Sequence, residues 1–221
     1  MKSAPRGQRV AWICLYAVAM AAVESAVVVY LRALNPGNPP LTVLLYQIPD
    51  RLIAIEIGRE IATVVMLLAV AVLADDVKDW WRRWLYFALA FGTWDIFYYI
   101  WLWVFIGWPP SLLTWDVLFL IPVPWLGPVL APVLVSACLV GGALWLLGRD
   151  RPRAFMPSAV ALAIAGVALI VLSFTIDFRY ALARTDPPRF RWELFGVGLA
   201  MAVGAVRWGV GVRGSTEGAR P

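Results

Sequence analysis

Residues 52–73 have the sequence LIAIEIGREIATVVMLLAVAVL, and this stretch decides which class of fold the chain adopts. Its 22 residues are enough for a helix that crosses the hydrocarbon core of a bilayer, which takes about 20. The only charged residues within it are Glu56, Arg59 and Glu60. An ionisable side chain at the centre of such a helix costs at least ~2.5–3.5 kcal/mol on insertion scales, so it is rarely accidental. The stretch therefore predicts a membrane-spanning helix with a built-in polar site.

The composition of the whole chain also indicates a membrane protein. Of the 221 residues, 62% are hydrophobic and 15% are charged, whereas a soluble domain carries about 25% charged residues. Long apolar runs alternate with short polar segments, and no segment is long enough for a soluble domain. We therefore predict an all-α, polytopic integral membrane protein with a single transmembrane domain over residues 1–221, located in a bacterial cytoplasmic (inner) membrane.

Six helices are predicted to cross the membrane. They cover residues 10–31, 52–73, 84–105, 125–147, 155–176 and 192–212. In this arrangement twelve basic residues lie on the side of the N-terminus and six on the opposite side, so the positive-inside rule places both termini in the cytoplasm. This spread over the loop ends explains the net charge of +5 without a nucleic-acid partner. The predicted partner is the lipid bilayer.

The segment 108–124, before the fourth predicted span, has an unusual composition. It contains four prolines and the apolar stretch 117–121. Ser111 follows two prolines, and this order is typical of a helix start with serine as the N-cap. We therefore predict a short interfacial or re-entrant helix in this segment.

The charged residues of the second span form one polar stripe. Glu56, Arg59, Glu60 and Thr63 stand at positions i, i+3, i+4 and i+7, which share one face of a helix. At 1.5 Å per residue, Arg59 and Glu60 lie roughly 10–12 Å from the external end of that span.

Two neighbouring spans carry polar groups at similar depths. Asp95, Tyr98 and Tyr99 in the third span repeat the first three offsets of the stripe, and Glu24 lies roughly 10 Å from the external end of the first span. We predict that these groups form one site for an ion or a proton. Its residues are Glu24, Glu56, Arg59, Glu60, Asp95, Tyr98 and Tyr99.

The charge of this site limits what it can do. Four acids and one arginine leave a formal charge of −3 if all are ionised, and burying that charge without compensation is prohibitive. Protons or a bound hard cation must make up the difference, with Glu56, Glu60 and Asp95 as candidate metal ligands. The sequence thus favours a protein that binds or conducts a cation or proton, reached from the external side.

Two other functions remain open. The acids could form a structural network in a non-catalytic assembly subunit of a membrane complex, or belong to a membrane-embedded lipid-modifying enzyme. No P-loop, GxSxG, GxGxxG or HExxH pattern occurs, which favours a protein without catalytic activity. Histidine is absent, so the chain cannot supply histidine ligands to haem or zinc, and no cofactor is evident beyond a hard cation.

The predicted external loop between the fifth and sixth spans is rich in arginine. Its four arginines form a candidate site for an anion or a lipid headgroup: Arg179, Arg184, Arg189 and Arg191. Pairing with the three acids of the same loop is the alternative: Asp177, Asp186 and Glu193.

The last span carries a stripe of small residues. Gly196, Ala200 and Gly204 recur at four-residue spacing, which lets two helices approach closely. The partner could be another span of this chain, a second copy in a homo-oligomer or another membrane subunit.

Overall fold

The computed structural model describes residues 5–33, 50–74, 79–149, 156–183 and 187–211. These residues form a helical bundle with one small antiparallel sheet. In chain order the elements are α1 (Arg6–Ala33), α2 (Asp50–Leu73), α3 (Trp80–Ile106), β1 (Trp115–Val117), β2 (Leu126–Pro128), α4 (Leu130–Leu147), α5 (Pro157–Thr175), α6 (Phe178–Ala183) and α7 (Trp192–Gly211).

Four helical stretches are long and apolar enough to cross a membrane. They are α1, α3, α4 and the run Pro157–Ala183, which joins α5 and α6. The predicted class, a helical membrane protein, is confirmed at this level. Helices α2 and α7 occupy the positions of the second and sixth predicted spans, and α2 is the less apolar because of Glu56, Arg59 and Glu60.

Local sequence fixes the ends of α3, the helix that supplies the third predicted span. The Asp79 side chain accepts a hydrogen bond from the backbone N–H of Trp81 at 3.0 Å, which satisfies one of the free donors of the first turn. At the other end Gly107 adopts a left-handed conformation with φ 65°, which glycine reaches without a steric penalty.

Helices α1 and α3 run parallel to each other. Three contacts advance in the same direction along α1 and along α3 with the residues just after it: Cys14 Sγ to Thr93 Oγ1 at 3.9 Å, Ser25 Oγ to Tyr98 O at 2.9 Å, and Arg32 over the Trp108 ring at 5.2 Å. Because α1 and α3 run in the same direction, α2, which connects them in the chain, has to run in the opposite direction. Its residues Leu67 and Ala71 share the buried cluster of Ile13 and Leu85, near the start of α1 and α3.

Helices α3 and α4 approach closely at Gly92. A Cβ atom at this position would lie 2.7 Å from the backbone oxygen of Ser136 and 2.9 Å from Val140 Cγ2. Only glycine fits this approach, and it brings the Ser136 side chain of an otherwise apolar helix next to Asp95.

Helices α5 and α7 form an antiparallel pair. A Cβ atom at Gly166 would lie 2.7 Å from Gly198 O, and one at Gly198 would lie 2.7 Å from Gly166 O. A Cβ atom at Gly209, near the far end of α7, would lie 3.7 Å from the Cβ of Ala159, near the start of α5. The close approach therefore uses Gly198 and not the predicted stripe.

The predicted stripe on α7 points away from the described helices. Cβ atoms at Gly196 and Gly204 would have nothing within 4 Å, and Ala200 is exposed. Within the described part of the chain the stripe thus has no helix packed on it, and a second copy or another subunit as its partner stays a prediction.

The predicted short helix in residues 108–124 is wrong. Ser111 accepts a hydrogen bond from the Leu113 N–H within a turn, and β1 follows it and pairs with β2, with Asp116 opposite Gly127. The apolar stretch is too short for a stable helix, and its β-branched and aromatic residues favour an extended chain. Backbone pairing continues past the strands, because the Leu118 N–H donates to Trp125 O at 2.9 Å. We call residues 115–128 the hairpin.

Candidate functional site

A cavity of about 90 Å³ lies between α1, α2, α3 and residues 116–120 of the hairpin. All seven residues predicted from the sequence line it: Glu24, Glu56, Arg59, Glu60, Asp95, Tyr98 and Tyr99. The helices therefore do turn their acidic faces toward one another, as the spacing of these residues predicts. The wall also includes Thr63, Trp94 and Asp116. The extended residues 117–120 cover the cavity.

Arg59 joins α1 to α2 at the centre of the site. Its guanidinium forms an ion pair with Glu24 of α1, and its Nε donates to Glu56 Oε2 at 3.0 Å, with a second contact to the other oxygen of that carboxylate. The Thr63 hydroxyl donates to Glu24 Oε1 at 2.7 Å. Because Glu24 is 5% exposed, this arginine and hydroxyl compensate its removal from water.

Glu60 holds the hairpin against α2. The backbone N–H of Leu120 lies 3.0 Å from both oxygens of the Glu60 carboxylate, which is buried at 7% exposure. A helix in this segment would have used the same N–H for its own backbone bonds. The extended conformation frees it for Glu60, so the hairpin becomes one wall of the site.

Asp95 is the acid on α3, and its partner comes from α4. The Ser136 hydroxyl donates to Asp95 Oδ2 at 2.8 Å, and both residues are buried. Sequence reasoning does not single out Ser136, because one serine in an apolar span is common. The glycine at position 92 is the signal that α4 comes close enough.

Asp116 is the site residue that sequence reasoning misses. It lies in β1, is 2% exposed, and its Oδ2 accepts a hydrogen bond from the Tyr99 hydroxyl at 2.9 Å. Burial raises the pKa of Asp116 to about 7, although hydrogen bonds from Tyr99 and the Val117 backbone partly oppose this rise. The signal for it is that Asp116 is the only charged residue of the apolar segment 108–124.

The acids of the cavity fall into two groups. Glu24 and Glu56 contact Arg59, whereas Glu60, Asp95 and Asp116 each accept hydrogen bonds from neutral donors. We call the second set the Glu60–Asp95–Asp116 group. Five acids and one arginine give the lining a formal charge of −4 if all are ionised. Burying that charge requires protons or a bound cation.

The candidate metal ligands have separate partners. Among the residues that the structure describes, no group of three or more cysteine, aspartate or glutamate side chains is placed to hold a metal ion. Glu56 contacts Arg59, Glu60 accepts from Leu120, and Asp95 accepts from Ser136. A metal-binding role for the three acids stays a prediction.

No protein-family model, curated protein or solved structure matches the chain. The geometry and charge of the site therefore carry the functional argument alone.

Two of the arginines that follow α5 are paired with acids. Arg189 Nη2 lies 3.0 Å from Glu193 Oε1, and Arg191 Nε lies 3.3 Å from Asp177 Oδ2. Arg179 is exposed, and positions 184 and 186 lie outside the described residues. None of the three described arginines lines the cavity.

Proposed function

We propose that this chain is a membrane protein that binds a proton or a small cation in the cavity between α1, α2, α3 and the hairpin. The observation that carries the proposal is the excess of acids over bases around one small cavity. Arg59 in the lining and Arg32 near Asp116 compensate at most two of the five negative charges. The remainder needs a positively charged species that fits a volume of about 90 Å³.

The size of the cavity favours an ion over an organic substrate. Pockets for drug-sized ligands have volumes of about 300–1,000 Å³. A lipid-modifying site would also need the arginines that follow α5 beside the acids, but Arg189 and Arg191 pair with Glu193 and Asp177, and none of the three described arginines lines the cavity. Enzymatic action on a lipid is therefore the weaker proposal.

We further propose six membrane crossings with both termini in the cytoplasm of a bacterial cell. Parallel packing of α1 and α3 supports a crossing by α2, because two parallel spans need α2 to return across the bilayer between them. Antiparallel packing of α7 on α5 likewise supports a last crossing. With this orientation the hairpin and the cavity lie toward the external side.

A structural role in an assembly subunit is the second candidate. It is favoured by the hydrogen bonds and ion pairs that each of the five acids makes within the chain. Intramembrane hydrogen bonds contribute about 0.6 kcal/mol each on average, so such a network can tie helices together without any ligand.

Thermal unfolding of the purified full-length protein separates the two functions. We expect the midpoint of wild type to depend on pH, or on Na⁺, K⁺, Mg²⁺, Ca²⁺ or Mn²⁺ at constant ionic strength. The double variant Glu60→Gln/Asp95→Asn keeps the shape of both side chains and should lose most of that dependence. Asp177→Asn removes an acid outside the cavity and serves as the control. An identical response in wild type and the double variant would leave only the structural role.

A further inference from the structure

Trp94 brings to the cavity a hydrogen-bond donor that none of the acids uses. It lines the cavity and is 7% exposed, and its indole N–H has no hydrogen-bond partner in the part of the chain that the structure describes. A buried N–H without an acceptor costs free energy, so such donors are normally satisfied by protein or by ordered water. A species that occupies the cavity therefore has to offer Trp94 an acceptor.

This donor disfavours a bare metal ion. An indole N–H can only donate, so an occupant that meets it has to supply an acceptor atom, which a bare metal ion lacks. Each acid of the Glu60–Asp95–Asp116 group already accepts a donor that the fold holds in place. A carboxylate offers about four lone-pair sites, so each acid keeps room for a proton or for a bridging water.

The volume fits water. One water molecule takes up about 30 Å³ in the liquid, so about 90 Å³ holds a few molecules in contact with several acids at once. A water molecule can accept a hydrogen bond from the Trp94 N–H and donate one to a carboxylate at the same time. It therefore satisfies both the donor and the acceptors of the lining.

We propose that the cavity holds hydrogen-bonded water oriented by the Trp94 N–H, and that the species exchanged at the Glu60–Asp95–Asp116 group is a proton and not a metal ion. In each exchange an O–H bond of a hydronium ion breaks, its electron pair stays on the water oxygen, and an O–H bond forms on a carboxylate oxygen. The inference rests on the proposed function and narrows it from a cation or proton to a proton.

Several other charged or titratable groups face this acid group from the surrounding elements. They are Glu24 and Arg32 on α1, Glu56 and Arg59 on α2, and Tyr98 and Tyr99 on α3. All of them are present in both tryptophan variants below. A difference between these variants therefore reports on the Trp94 N–H and the water bound to it.

The test compares two tryptophans of α3. Trp94→Phe keeps an aromatic ring in the wall and removes only the N–H. Trp101→Phe is the matched control, because the Trp101 indole donates to Val18 O at 3.1 Å and Trp101 does not line the cavity. Thermal unfolding of the full-length protein is measured from about pH 5 to 9 in choline chloride at constant ionic strength.

We expect Trp94→Phe to move the pH midpoint of the stability profile upward. A water that accepts from the indole donates more strongly to a carboxylate and favours its ionised form, so loss of the N–H should raise the midpoint by ~0.5–1 pH unit, the equivalent of one hydrogen bond. Trp101→Phe should lower the unfolding temperature at every pH and leave the midpoint in place. An unchanged midpoint in folded Trp94→Phe overturns the orienting role of this residue.

Metal titrations at fixed pH separate the proton from other cations. We expect no saturable shift with Na⁺, K⁺, Mg²⁺, Ca²⁺ or Mn²⁺ chloride in wild type. A saturable shift that disappears in Asp95→Asn refutes the proton and leaves the proposed function standing, whereas a response to neither pH nor metal refutes both. Infrared spectra of wild type in D₂O need no variant: the C=O band of protonated carboxylic acids has to grow as the pH falls, and a constant band overturns the inference.

Discussion

Arg59 is the residue on which the attachment of α2 to α1 depends. Its partner Glu24 has a side chain that is 6% exposed, and removing one member of a buried ion pair leaves the other charge uncompensated, at a cost of about 3–5 kcal/mol. We therefore expect Arg59→Leu to lower the free energy of unfolding by that amount at neutral pH. Denaturant unfolding of both proteins at neutral pH measures this loss.

An exposed ion pair supplies the control for Arg59. Arg189 and Glu193 are 65% and 66% exposed, and such pairs contribute about 0–1 kcal/mol. Arg189→Leu should therefore change stability little at any pH. Equal losses in the two variants would contradict the importance given to Arg59.

Burial of Asp116 should make the stability of the fold decrease as the pH rises. Its pKa is raised by burial from the ordinary 3.8 to about 7, so between these values the folded state holds a proton that the unfolded chain has released. The stabilising contribution is complete below about pH 4 and is lost as the pH rises through 7. Asp116→Asn accepts the same hydrogen bond from Tyr99 without titrating.

Unfolding midpoints of wild type and Asp116→Asn, measured from about pH 4 to 8, check this prediction. Wild type should lose stability relative to the variant as the pH rises, with the change ending near pH 7. A constant difference between the two proteins over the whole range would show that Asp116 does not titrate there.

The seven predicted site residues illustrate what spacing alone can establish. The offsets i, i+3 and i+4 place side chains on one helix face whatever the rest of the fold does, so Glu56, Arg59 and Glu60 could be assigned to one stripe. Asp116 and Ser136 could not be found in this way. Their positions depend on contacts between distant segments, namely the pairing of β1 with β2 and the approach of α4 to Gly92.

At the scale of elements, glycine sets how closely α5 and α7 pack. A Cβ atom at Gly198 would lie 2.7 Å from Gly166 O and 2.9 Å from Ile170 N, both backbone atoms that cannot move aside cheaply. Gly198→Ala should therefore destabilise the protein by about 1–3 kcal/mol, as overpacking does. Gly196→Ala, two residues away with open space around it, should be neutral or stabilising by up to about 1 kcal/mol.

The unfolding temperatures of the two glycine variants, measured in one detergent, test this prediction. If both alanines have the same effect, the close approach of α5 and α7 is not a determinant of stability. The comparison also bears on the sequence prediction, because the four-residue spacing of small residues identified α7 as a packing helix but not its packing face. Which glycine is used depends on where α5 lies, and that information is not local to α7.

The hairpin shows why one element was predicted incorrectly. Ser111 after two prolines favours a helix start locally, but the prolines at 122 and 124 leave too few residues for a stable helix. Antiparallel pairing with residues 126–128 satisfies the backbone of 115–117 instead, and Leu120 is left to bond Glu60. Tertiary contacts thus outweigh the local signal at the segment that covers the cavity.

At the scale of the whole molecule, the parallel order of α1 and α3 predicts a topology. If both helices cross the bilayer in the same direction, Gly7 in the first turn of α1 and Trp80 at the start of α3 lie on one side, and Ser111 of the turn before the hairpin lies on the other. Were α2 not to cross, Gly7 and Trp80 would lie on opposite sides. The number of crossings can therefore be decided from three positions.

Single cysteines and a membrane-impermeant maleimide test this topology. In a background of Cys14→Ala and Cys138→Ala, we expect Ser111→Cys to be labelled in intact cells, and Gly7→Cys and Trp80→Cys only after permeabilisation. Labelling of Trp80→Cys but not Gly7→Cys from outside would remove the crossing by α2. The acidic stripe on α2 would then no longer lie within a membrane-spanning helix. Because the cavity needs that stripe beside Glu24 and Asp95, the same result would also remove the reason for its proposed location in the membrane.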